Sequence, residues 1–136
     1  DIDDPYRADF VAAADVLFMS AINLDDPGAA ALALAGRRDG RGVDVGDDSN
    51  GCLVASGGAL ERYPAVDLLE APIVDTNGAG DNLAVGFLVA HVLDGLPIAQ
   101  AARRAQLGAR WICPQRGDRK EPVTREVLAA LAARAI

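Results

Sequence analysis

Ile73-Val74-Asp75-Thr76-Asn77-Gly78-Ala79-Gly80-Asp81-Asn82 reads as a strand that feeds a loop with two glycines and then the N-terminus of a helix. That geometry suits an anion. Gly78 and Gly80 let the backbone approach phosphate oxygens closely. The N–H groups of Ala79, Gly80 and Asp81, unpaired at a helix start, and the positive end of the helix dipole oppose negative charge. The Asp81 carboxylate falls at the same place, where beside a phosphate it can take the proton of an attacking hydroxyl, as phosphoryl transfer from ATP to an alcohol requires.

An isolated Gly-x-Gly-Asp is also consistent with a plain turn and a helix cap. A dinucleotide-binding turn places Gly-x-Gly between strand and helix too, but Leu83 occupies the third glycine position and an acid falls inside the turn. The loop is not a Walker A motif, since the chain has no Gly-x4-Gly-Lys followed by Ser or Thr.

Ala71 to Val74 leads into the loop, and the helix after it runs from Asp81 to about Asp94, closed by Gly95. This helix is apolar around nearly its whole circumference, which predicts a place in the middle of the domain. A second helix is expected at about Pro97 to Ile112 and a last one at about Arg125 to Ala133, with Pro114 to Glu121 as the loop between them. Upstream, residues 1–14 suggest a turn and a helix, and Ala14 to Ser20 a buried strand. Asp25-Asp26-Pro27 caps a helix with Gly28 to Gly36 as its body and Arg37 and Arg38 at its end. Gly42 to Val45 and Gly51 to Ser56 read as short strands around the polar turn 47–50, and Leu60 to Val66 as an edge or irregular strand because of Pro64. Strand, helix, several strands and then helices define an α/β layer architecture.

The chain has 136 residues, 51% of them hydrophobic and 24% charged, which suits one globular domain. Only 4% are aromatic, so the core should be built from small aliphatic contacts. With 13 basic against 20 acidic residues and a net charge of -7, the composition opposes nucleic-acid and anionic-membrane partners. A nucleotide would have to be met locally, by backbone N–H groups, a helix N-terminus or a metal ion. Cys52 and Cys113 form neither a CxxC nor a Cys/His pattern and read as buried free thiols in a reducing compartment, the cytoplasm. No apolar run reaches the ~18 residues of a membrane span. His91, about three turns along the helix from Asp81, reads as a core or surface histidine, Trp111 as packing, and Arg103, Arg104 and Arg110 as the solvated face and end of a helix.

The run Asp75 to Leu88, with Gly86-Phe87 in its helix, resembles the second signature of the ribokinase/pfkB family of carbohydrate kinases. Leu96 to Ala102 is similar to the family's next helix, and Gln115-Arg116-Gly117 to the turn that ends it. The resemblance implies a ribokinase-like layered fold, of which residues 1–136 would be the C-terminal part. It implies ATP and Mg2+, with K+ in many members. Asp81 would then be the catalytic base, and Gly78, Ala79 and Gly80 the anion hole around the γ-phosphate. Asp75 and Asn77, with Gln115 and Gly117, would hold the monovalent cation. The adenine side would lie at Asn50 and Gly51. There the family's Thr-x-Gly-x-x-Gly is matched only by Gly51, with Gly46 at the threonine position and Asp48 at the first glycine.

The family's first signature, its sugar-contacting N-terminal portion and its β lid have no counterpart among these residues. Two functions from different classes are therefore expected. One is an ATP-dependent kinase acting on a hydroxyl of a sugar or sugar-like substrate, for which a homodimer is also compatible. The alternative is a non-catalytic, truncated ribokinase-fold domain or a partner-binding subunit.

Overall fold

The computed structural model describes residues 5–38, 42–68 and 70–134. They fall into two compact units, Asp1–Arg62 and Tyr63–Ile136. Residues 1–4 of the expected opening turn lie outside the described residues.

In the first unit, α1 (Pro5–Ala13) leads to β1 (Leu17–Ser20), α2 (Pro27–Gly36), β2 (Val43–Gly46), a 3-10 turn (Asp48–Asn50), β3 (Cys52–Ser56) and β4 (Ala59–Tyr63). Asp26 caps α2 as its sequence predicts, its carboxylate accepting from the Ala29 N–H at 2.9 Å, with Pro27 in the first turn. The strands stand in the order β1-β2-β3-β4. β1 and β2 are parallel, joined through α2, and β2 and β3 antiparallel. Gly57 and Gly58, at φ +58° and +82°, turn β3 into β4 with the backbone twist that a two-residue hairpin requires. β4 is an edge strand and stops before Pro64, a residue that could not extend the ladder.

Alternation along the strands puts Val43, Val45, Leu53 and Ala55 against Ala31, Leu34 and Ala35 of α2, a core of small aliphatic side chains. Asp44, between the two valines, belongs to the opposite face, opposite Phe18 and Val54, and is 1% exposed. Arg38, at the end of α2 as its sequence suggests, is buried. Its Nε donates to Val11 O and its Nη1 to Gly42 O, each at 2.9 Å, and its Nη2 donates to Ala14 O. One guanidinium thus ties the ends of α1 and α2 to the entry of β2, because its fork of donors can satisfy several converging carbonyls at once.

The second unit contains α3 (Ala79–Phe87), which continues as a π-helical turn (Leu88–Leu93), α4 (Ile98–Ile112) and α5 (Arg125–Arg134). α4 buries Ala101, Ala102, Ala105, Leu107 and Ile112, and α3 packs closely on it. A Cβ at Gly86 would lie 2.9 Å from the Ala105 Cα, so the glycine of the Gly-Phe pair is what permits this approach. Gly95, at φ +69°, ends the π turn as expected.

Three expectations are corrected here. Ala71 to Val74 forms no strand; the segment is held by the Arg110 side chain and by N–H bonds from Val74 and Asp75 to Cys113 O at 2.8 and 3.0 Å. The β-branched pair Ile73-Val74 has the composition of a strand, but its donors go to a helix end and not to a ladder. The apolar helix is not covered all round: Phe87 and Ala90 are buried, whereas Val85 is 60% and Leu93 72% exposed, since α4 packs on one side of it. Arg110 is not part of a solvated face. Its Nη2 donates to Leu68 O at 3.3 Å and to Ala71 O.

Candidate functional site: the loop Asp75–Asp81

The loop is shaped by three local devices. The Asp75 carboxylate accepts the Asn77 N–H at 3.0 Å, and the Ala79 N–H donates to Thr76 O at 3.0 Å. Gly78 sits at φ +79°, ψ 1°, a left-handed conformation that a side chain would strain, and is followed directly by α3. The Asn82 Nδ2 and backbone N–H both donate to Gly78 O, each at 3.0 Å, and lock the turn onto the helix.

The helix starts at Ala79, two residues earlier than its sequence suggests, which places Asp81 within the first turn. Of the three N–H groups read as unpaired, that of Ala79 is engaged in the turn. Those of Gly80 and Asp81 have no acceptor among the described residues. The Asp81 side chain is exposed and has no hydrogen-bond or ion-pair partner among them. A Cβ at Gly80 would meet nothing within 4 Å, so the turn is uncrowded on that side. Two free donors, a helix N-terminus and an unengaged carboxylate on one turn can receive an anionic group and a proton.

The residues expected to hold a monovalent cation are arranged otherwise. Lys120 brings its ammonium to Asp75 O at 2.7 Å, Asn77 O at 2.9 Å and the Asp75 carboxylate at 3.3 Å. The Asn77 N–H, first, and then Lys120 and the Gly117 backbone hold the Asp75 carboxyl below the usual carboxylate range, against partial desolvation. Both ends of the Gln115 side-chain amide are used within the chain: it accepts the Glu121 N–H at 2.7 Å and donates to Glu121 O at 3.0 Å. Gly117, at φ +90°, turns the segment between them. Lys120 carried no signal of its own in the sequence. Only the folding of the loop after Pro114 brings it to Asp75.

Asn50 and Gly51 lie in the first unit. The Asn50 N–H donates to Asp47 O at 2.8 Å and the Asp47 N–H to Gly51 O at 2.9 Å, a closed turn in which Gly51 takes φ +106°. The Asp47 carboxylate is paired with Arg62 at 2.8 Å; the Asp48 side chain lies outside what is described. His91 is half-buried and packs on Phe87, ring centroids 5.4 Å apart, and its Nδ1 is 2.8 Å from Leu96 O. Both cysteines are buried thiols, not joined in a disulfide. Among the described residues no three His, Cys, Asp or Glu side chains converge to hold a metal ion, and no helix is long and apolar enough to cross a membrane.

A glycine turn, free N–H groups at a helix start and a carboxylate beside them form an arrangement that can receive a phosphate group. Residues 8–125 match the model of the pfkB family carbohydrate kinases, and the chain belongs to that family. It is 36% identical over 117 residues to an acarbose 7(IV)-phosphotransferase of an Actinoplanes species, a match that covers 85% of this chain and 38% of the relative. A microbiome-derived acarbose kinase superposes with a TM-score of 0.85 at 31% identity, covering 96% of this chain and 44% of that one. The nucleoside kinase of Methanocaldococcus jannaschii, an archaeal member of the ribokinase family, superposes with a TM-score of 0.75 at 18% identity, over 93% and 42% of the two chains. The fold is therefore ribokinase-like, and the chain spans about two fifths of the length of these relatives.

Proposed function

We propose that this protein takes part in ATP-dependent phosphoryl transfer to a hydroxyl of a sugar or sugar-like substrate, with Asp81 as base and the Gly78–Gly80 loop as anion hole; with the Ala79 N–H engaged on Thr76 O, its free donors are the N–H groups of Gly80 and Asp81. The observation that carries this reading is the free pair of N–H groups at Gly80 and Asp81 beside the unengaged Asp81 carboxylate. An acceptor hydroxyl placed next to Asp81 gives up its proton to the carboxylate as its oxygen bonds to the γ-phosphorus. The bond from that phosphorus to the bridging oxygen breaks, and ADP leaves with the electron pair. The N–H groups of Gly80 and Asp81 oppose the charge on the transferred group as it spreads over the equatorial oxygens. Mg2+, when bound, would neutralise phosphate charge, and it would be held mainly by the nucleotide it arrives with. Acarbose as acceptor of the relatives supports a carbohydrate hydroxyl as the target. The two buried thiols support a reducing, cytoplasmic setting.

Calorimetric titration with ATP and magnesium, with Asp81→Asn and Gly80→Val beside the parent, tests this reading. Binding should survive Asp81→Asn, with turnover of a sugar acceptor reduced about 10²- to 10⁴-fold. Gly80→Val, whose Cβ would enter open space, should abolish binding. A folded parent that ignores millimolar ATP would refute the kinase reading. It would favour the second one, a partner-binding domain, for which the exposed apolar side chains Val85, Val92 and Leu93 speak.

A further inference from the structure

The Lys120 ammonium has three donors, and three loop oxygens receive it: Asp75 O at 2.7 Å, Asn77 O at 2.9 Å and Asp75 Oδ2 at 3.3 Å. The side chain is 9% exposed, so this is an enclosed cation and not a surface lysine lying near an acid. Two carbonyls and a carboxylate around one positive centre form the kind of all-oxygen donor set that also suits a dehydrated alkali ion. The remaining groups that could complete such an ion's shell are committed elsewhere. Asp75 Oδ1 accepts the Asn77 N–H, and the Gln115 amide is closed on the Glu121 backbone. That same Gln115 clamp fixes the chain next to Lys120 and holds its ammonium in place. A K+ ion at Asp75 and Asn77 would have to displace a tethered charge of the same sign.

We propose that Lys120 is the built-in cation of this loop, so that the turn preceding α3 keeps its shape without a dissolved monovalent cation. Lys120 is a positioning residue here: it acts through the carbonyls of Asp75 and Asn77 on the donors at Gly80 and Asp81. The inference rests on the phosphoryl-transfer reading only where nucleotide is concerned. Its main test is therefore made without nucleotide.

Thermal unfolding of the parent is compared at equal ionic strength in choline, sodium, potassium and ammonium chloride, with Lys120→Ala in parallel. The parent should melt at the same temperature in all four salts. Lys120→Ala should melt lower in choline and recover saturably with K+ or NH4+, small cations that fit the vacated oxygens, a rescue that lost packing would not produce. A saturable K+ effect on the parent, or a Lys120→Ala chain as stable as the parent in choline, would overturn the proposal. Should Lys120→Ala not fold in any salt, Lys120→Arg and the parent comparison decide: Lys120→Arg, which keeps a tethered charge, should fold and stay indifferent to K+, and a K+ requirement in it overturns the proposal. ATP affinity of the parent in choline and in potassium is measured last. Loss of ATP binding with the salt results intact would remove the kinase reading and leave the role of Lys120 standing.

Discussion

Replacing Asp44 by asparagine should abolish a large pH dependence of stability. Asp44 is 1% exposed on β2, and neither of its carboxylate oxygens has a hydrogen-bond partner among the described residues. Burial raises its pKa from 3.8 to about 7, since the charged form is deprived of water without gaining a partner. Between those two values the folded chain holds a proton that the unfolded chain has released, so stability falls as pH rises, and the contribution is fully present only below the unfolded value. At about 1.4 kcal/mol per pH unit, most of a loss on the order of 4 kcal/mol accrues by neutral pH, about 3 kcal/mol of it between pH 5 and pH 8. The amide introduced by Asp44→Asn does not titrate. Its own missing partners cost about 1–3 kcal/mol, but equally at both pH values. Urea unfolding of parent and variant at pH 5 and pH 8 isolates the effect as the change in their stability difference: relative to the parent, Asp44→Asn should gain about 3 kcal/mol on going to pH 8. If the two midpoints shift in parallel, the carboxyl is hydrated and the burial argument fails.

Two further substitutions probe the packing that positions the loop. Gly86→Val should destabilise the chain by about 3 kcal/mol, because the added carbon would meet the Ala105 backbone at 2.9 Å, where neither helix can yield without moving α3; a urea midpoint equal to that of the parent would refute this close contact. Arg38→Met should cost about 3 kcal/mol in the same assay by leaving the carbonyls of Val11, Ala14 and Gly42 without their donors, and an unchanged midpoint would mean that water serves those oxygens.

What could be read from the residues was what short-range chemistry determines. Asp26-Pro27 announces the start of α2, Gly57-Gly58 the end of β3, and Gly78 to Asp81 a turn that opens a helix. What could not be read depends on groups far apart in the chain. Arg38 looks like helix-end charge until the carbonyls of Val11 and Ala14 close around it. Gln106 looks like an ordinary polar helix position, yet its amide accepts the Val66 N–H and donates to Tyr63 O, each at 3.0 Å, and so fixes the stretch after β4. Ile73-Val74 has strand composition, but among the described residues no neighbouring strand takes its donors. The π-helical turn at Leu88–Leu93 leaves no mark in an apolar run of this kind. At the candidate site the same division holds: the signature-like run contains the turn with the free N–H groups of Gly80 and Asp81, whereas Lys120 reaches Asp75 from 45 residues away.

Cys52 and Cys113 give the protein a pair of internal clocks. One thiol lies in each compact unit, and both are outside any disulfide and buried, at 0% and 6% exposure. A thiol reagent can modify each only when its surroundings open, so labelling rates resolved by peptide mass would time the opening of the β-sheet unit and of the helical unit separately. Ligand that closes on the Gly80 turn should slow the clock at Cys113, whose carbonyl anchors Val74 and Asp75.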